Sequence, residues 1–202
     1  MGELFCLVFP FSVWECWWLA PLALALDLWL GDPRMPWPHP VCAVGRLLHW
    51  LEGPARYCMG EGRLPEKKQA LRGRLAGLSA LLILLLVTGL VVRGLVALPW
   101  LGTAAAVCLA WNGLAMGCLL QTGGEVLYRV ENLAPERARE ALSWLVSRDP
   151  SQMDRPLMRK TLADTLSENF TDALMAPFFW LLLTGPVGLW LYKAVSTTDS
   201  MW

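Results

Sequence analysis

Asp164, Glu168 and Asp172 recur at every fourth position. On a helix that spacing lays three carboxylates along one face. Such a stripe can hold one or two Mg²⁺ ions, with phosphate oxygens and water completing the shell; the same spacing also describes an ordinary solvated face. Asn169 adjoins Glu168, and a charge-poor apolar run follows at once, so the stripe ends where a helix meets a membrane-like segment. Further on, Lys193 and Asp199 stand among Ser196, Thr197, Thr198 and Ser200. A point-charge ammonium with short hydroxyl donors suits phosphate; a polar tail is the alternative reading.

A third polar group lies earlier. Residues 30–41 read LGDPRMPWPHPV, with four prolines between Pro33 and Pro40. Proline removes a donor and biases its predecessor to extended backbone, so a rigid loop is expected here, carrying Asp32, Arg34 and His39. Asp27 sits one turn before it, inside the end of an apolar helix, where an ionisable group either has a function or snorkels to the interface. Other devices are missing from the sequence. The six cysteines show no Cys-x-x-Cys and no His at ligand spacing, which argues against a zinc site or a disulfide framework. There is no GxxxxGK phosphate loop and no GxGxxG fingerprint.

The elements that must position these groups are apolar helices. Of 202 residues, 55% are hydrophobic and 17% charged, against ~25% charged in soluble domains. The 17 basic and 17 acidic residues cancel, which excludes a nucleic-acid module built on a basic field. Long apolar runs occupy 4–30, 75–92, 95–120 and 173–195, and about 20 apolar residues cross a bilayer. The expected fold is all-α: one polytopic helical membrane domain over 1–202, with membrane segments at about 13–30, 75–92, 99–120 and 173–195 and amphipathic helices in its loops. No basic residue precedes the first run and no small-residue cleavage site follows it, so that segment reads as retained. Residues 31–74 hold eight Lys and Arg, residues 121–172 hold seven, and only Arg93 and Lys193 lie elsewhere. The positive-inside rule then places both loops in the cytoplasm, in a cell (inner) membrane.

Within the second loop, 135–147 is amphipathic, with Ala138, Leu142 and Leu145 on one face. Asp154 and Pro156 mark the start of the next helix, as an acidic cap and an early proline. Its apolar face is Met158, Leu162, Leu166 and Phe170, opposite the carboxylates. Two small-xxx-small pairs, Gly73/Gly77 and Gly113/Gly117, read as helix contacts. The last apolar run is interrupted by Gly185-Pro186. A kinked span and a re-entrant pair of half-helices are both open from the residues, the second requiring that its polar backbone be buried in protein or face water.

In combination, residues 30–41, Arg148-Asp149, ENFTD at 168–172, APF at 176–178, YKAV at 192–195 and TDSM at 198–201 resemble the CobD/CbiB family, the membrane adenosylcobinamide-phosphate synthases of cobalamin biosynthesis. The resemblance covers about 19–201. The chain departs from the family pattern at Asp164, Pro150 and Ser196, and it stops at Trp202, where family members run on through further apolar segments, so a shortened copy is expected. The resemblance implies an ATP- and Mg²⁺-dependent ligase that joins adenosylcobyric acid, a corrinoid, to aminopropanol or its phosphate. It implies catalytic roles for Glu168, Asn169, Lys193 and Asp199. Substrate contacts would come from Asp32, Arg34, His39, Arg148 and Asp149, and metal ligation from Asp164, Glu168 and Asp172. Corrinoid and ATP are cytoplasmic, so Lys193 and Asp199 are expected on the same side as Glu168, which favours the re-entrant form. The competing class is a non-enzymatic transporter subunit or corrinoid-handling scaffold, to which Asp27 and the broken last segment would suit.

Overall fold

The computed structural model describes residues 17–31, 39–59, 66–146 and 148–202. Asp32 and Arg34 therefore lie outside the described residues. Every regular element described is helical: α1 (Leu19–Leu30), α2 (Pro40–Met59), α3 (Glu66–Val96), α4 (Gly102–Gly113), α5 (Met116–Asn132), α6 (Pro135–Ser143), α7 (Arg155–Phe170), a π-helical turn (Thr171–Met175) and α8 (Ala176–Met201). Among the described residues, three helical stretches are long and apolar enough to cross a membrane: Gln69–Val96, Gly102–Asn132 and Arg155–Met201. The chain is an all-α protein of the polytopic membrane class.

Two hydrophobic cores divide the molecule. The larger gathers Ala23 of α1, Leu48 of α2, Leu84 of α3, Ala110 of α4 and Trp190 of α8. The smaller is built from Val126 and Val130 of α5, Leu142 of α6, and Met158 and Leu162 of α7. The apolar faces expected for α6 and α7 thus pack on each other and on α5. Asp154 begins α7 as its sequence suggests, accepting a hydrogen bond from the Leu157 N–H at 3.0 Å.

Three features differ from a simple reading of the apolar runs. First, residues 40–59, which the charge pattern assigns to a polar loop, form α2 and run antiparallel to α3. Pro40 and Leu47 meet Val91 and Leu95 at one end of α3, and Leu51 and Pro54 meet Arg72 and Ala76 at the other. The helix is amphipathic, with Val44 and Leu48 buried and Arg46, His49 and Trp50 exposed; its polar face hid its apolar one. Second, the uncharged run 95–120 is not one helix. It turns at 97–101 and breaks at Leu114–Ala115, where the Ala115 N–H leaves the helical ladder to donate to the Ala173 carbonyl at 3.0 Å.

Third, α8 reverses. Gly185 has φ 67° and ψ −162°, a region open essentially only to glycine. The arm before it and the arm after it fold together, so that Tyr192 reaches Asp172 at 2.6 Å. A straight helix would separate those residues by about 30 Å at 1.5 Å per residue. The return arm runs antiparallel to α3, with Leu191 against Gly89 and Trp202 against Gly77. Lys193 and Asp199 are thereby carried back toward the end of α3 that adjoins the first basic loop.

The Gly113/Gly117 pair is a close helix contact. A Cβ on Gly117 would lie 2.2 Å from the Asp27 carbonyl oxygen, and one on Gly113 would lie 2.3 Å from the Leu189 side chain. That approach explains Asp27. Its side chain is fully buried and accepts from the Gly117 N–H at 2.9 Å, so a carboxylate of α1 meets an otherwise unpaired donor at the positive start of α5. Asp27 does not snorkel here; it joins two helices.

Candidate functional site

α7 presents its buried face, Met158 and Leu162, to the smaller core and leaves Asp164, Glu168 and Asn169 exposed on the other side. Those three border a cleft of about 600 Å³ together with Arg148, Thr165 and Ser167. Leu145 and Val146, where the chain leaves α6, form part of the opposite wall. The cleft therefore combines two carboxylates, an amide, hydroxyls and one guanidinium. A ligand bearing phosphate could use the guanidinium fork, and a cation could use the carboxylates.

Asp172 does not line the cleft. The π turn begins at Thr171, with the Ala176 N–H donating to the Thr171 carbonyl. Its cause is legible in the chain: Pro177 has no N–H to give to the carbonyl an α-helix or a π turn would pair it with. The carbonyls so released find other donors. That of Ala173 accepts from Ala115, and that of Asp172 accepts from Lys193 Nζ at 3.4 Å. The Asp172 carboxylate accepts from the Tyr192 hydroxyl at 2.6 Å. Lys193 thus sits one helical turn beyond Glu168, at the end of the carboxylate helix.

Among the described residues, no three of His, Cys, Asp and Glu are grouped as a metal site would need. Of the expected three-carboxylate stripe, Asp164 and Glu168 border the cleft. That pair still fits Mg²⁺, which is commonly held by one or two carboxylates with phosphate and water filling the remaining positions.

The remaining expected site residues that the structure describes are scattered. Asp149 forms its own turn, accepting from the Ser151 N–H at 2.9 Å and the Ser151 hydroxyl at 2.8 Å. The backbone donor, and then the hydroxyl, hold its carboxyl below the usual range. It does not line the cleft, although its neighbour Arg148 does. His39 stands at the head of α2, where Nδ1 accepts from the Val41 N–H at 3.3 Å. Asp199 is exposed, nearly two turns beyond Lys193. Two contributors escaped the sequence reading. Tyr192 was visible only as part of the YKAV string, and Thr165 only as a spacer between carboxylates.

Comparison with known proteins agrees with this chain's motifs. The CobD/Cbib protein family profile matches residues 20–202. A cobalamin biosynthesis protein CobD of Photorhabdus laumondii is 36% identical over 189 residues, covering 91% of this chain and 56% of the relative. That of Pelobacter propionicus is 39% identical over 195 residues, covering 89% and 54%. A cobalamin biosynthesis protein CbiB of Salmonella typhi is 35% identical over 188 residues, covering 89% and 55%. The chain spans about half the length of these curated relatives. No solved structure matches it.

Proposed function

The chain belongs to the CobD/CbiB family, and from that premise we propose that it serves cobalamin biosynthesis as an ATP-dependent amide ligase, joining adenosylcobyric acid to aminopropanol or its phosphate. The observation that supports this reading is the convergence of Arg148, Asp164, Glu168 and Asn169 on one cleft, with Lys193 one turn away. Unrelated segments of a chain supply both signs of charge there, as phosphoryl transfer requires.

The chemistry sets the demands. A carboxylate is a poor acyl donor to an amine. Phosphoryl transfer from ATP to its oxygen gives an acyl phosphate and ADP; attack by the amine then expels phosphate, forms the amide and releases a proton. Asp164 and Glu168 are the side chains that would hold Mg²⁺, which when bound neutralises charge on the phosphate oxygens. Arg148 offers a planar pair of donors to a phosphate, and Lys193 a point charge. Asn169 and Thr165 add neutral donors that fix orientation, so that catalysis rests on positioning and charge. The positive-inside pattern supports a cytoplasmic position for this end of the molecule, where ATP is found.

The test is direct. Full-length chain in detergent or proteoliposomes is given adenosylcobyric acid, aminopropanol phosphate and Mg-ATP, and the corrinoid amide is measured by mass spectrometry. ATP-dependent product is expected, reduced about 100-fold or more in Glu168→Gln, the scale of a lost charge-stabilising group. Glu168→Gln and Lys193→Ala proteins with full activity would refute the assignment.

A further inference from the structure

The geometry points to Tyr192 as a positioning residue that sets where Lys193 sits beside the carboxylate helix. The inference rests on the proposed role of Lys193 at the phosphate end of the site.

Gly185 permits α8 to reverse but does not fix where the return arm comes to rest. A slip of one helical turn would move Lys193 by about 5.4 Å along the arm and away from the π turn. The Trp190 indole, donating to the Leu109 carbonyl at 3.0 Å, and apolar contacts such as Leu191 on Gly89 hold the arm to α4 and α3 but do not reach the π turn. Two directional contacts meet at Asp172. The Tyr192 hydroxyl donates to its carboxylate at 2.6 Å, a short bond to a charged acceptor and so the stronger kind. Lys193 Nζ donates to its main-chain carbonyl at 3.4 Å, near the limit of hydrogen bonding. The phenol therefore ties this face of the arm to the π turn, and bears on where the ammonium of the next residue sits.

The acceptor is prepared by sequence. In the π pattern that begins with Ala176 donating to Thr171, the Asp172 carbonyl would be paired with residue 177, which is proline and has no N–H. Pro177 thus opens the carbonyl that Lys193 uses, and Tyr192 brings Lys193 to it. One consequence concerns Asp172. Its carboxylate is the acceptor of this latch, and the metal-holding pair is Asp164 and Glu168.

The experiment reads position without turnover. Full-length chain in detergent is treated with limiting succinimidyl acetate, and the acetylation of Lys193 is measured by mass spectrometry relative to Lys160, which is exposed on α7. Tyr192→Phe is expected to raise the Lys193 to Lys160 ratio about fivefold, the scale of one net hydrogen bond. Asp172→Ala should do the same, Asp172→Asn, which keeps a neutral acceptor, should raise it less, and the Tyr192→Phe/Asp172→Ala double variant no more than either alone. A ratio unchanged in Tyr192→Phe, or effects that add in the double variant, would overturn the proposal. Should Tyr192→Phe fail to fold, the contrast between Asp172→Asn and Asp172→Ala decides alone: equal ratios would count against the latch. Because no substrate is present, failure here is distinct from failure of the ligase reading, which rests on the Glu168→Gln assay.

Discussion

The two cores of this protein meet their polar groups in opposite ways. Around the smaller core, arginines do the work. Arg159 forks onto the Glu131 carboxylate, with one contact at 2.6 Å. Arg155 donates to the carbonyls of Glu131 and Leu133, both at 2.9 Å, closing the end of α5. Arg139 donates to the Met153 carbonyl at 3.0 Å. In the larger core, neutral donors, close backbone approach and one buried carboxylate, Asp27, take the place of exposed charge pairs. The indoles of Trp111 and Trp190 donate to the carbonyls of Gly31 and Leu109, each at 3.0 Å, and Gly113 and Gly117 let helices touch. One region solves its polar accounting with long, hydrated side chains. The other solves it internally, as a segment surrounded by lipid must. The carboxylate cleft belongs to the smaller region, and Lys193 of the larger one meets it only through Asp172, where α7 passes into α8.

Substitutions can break that contrast. The largest stability effect is expected in the smaller core, where water drives burial. Leu142 is fully buried, and Leu142→Ala should cost ~2–5 kcal/mol. Hydrogen exchange should then rise across α5, α6 and α7 while α3 stays protected; a loss shared equally by both regions would show that they are one cooperative unit. Next is Gly185→Ala. A side chain in its glycine-only conformation costs ~1–3 kcal/mol, and thermal unfolding should show the loss without any change in hydrogen exchange of α6. Asp154→Ala removes the cap of α7 and should cost ~1 kcal/mol, read from denaturant unfolding of the smaller core. The smallest effect concerns pH. The Asp149 carboxyl is held below its ordinary value by Ser151, so the turn's contribution is complete above the ordinary aspartate pKa. It is lost only as pH falls through the lowered value. A carboxyl NMR titration of Asp149 with its midpoint at or above the ordinary value would contradict this.

Much of the smaller core was legible because one element's pattern sufficed for each helix. The four-residue recurrence of Met158, Leu162 and Leu166, the Asp154 cap and the early Pro156 define α7 without reference to anything distant. The α2 helix was obscured because its exposed Arg46, His49 and Trp50 and its flanking prolines outweigh a narrow apolar face. The site was half legible for a similar reason. The Asp164 and Glu168 spacing is local, whereas the contact of Arg148 with that cleft depends on how α6 packs on α7. Asp172 was read as a continuation of the stripe, and what the spacing could not show is that the helical period changes at Thr171, ahead of Pro177. Tyr192 could have been found by asking why a proline in a helical run leaves two carbonyls without donors, and which later side chain could meet them.

Only the reversal at Gly185 brings Lys193 to the carboxylate helix. Cysteines at Asp172 and Tyr192 test it in the full-length chain, cross-linked by a short bismaleimide, with the linked peptides identified by mass spectrometry to separate this pair from the native cysteines. The folded-back arm predicts a 172–192 cross-link in most molecules. A straight span would hold the two positions about 30 Å apart, beyond the reach of the reagent, and the absence of that cross-link, in a chain that retains its helical content, would contradict the reversal.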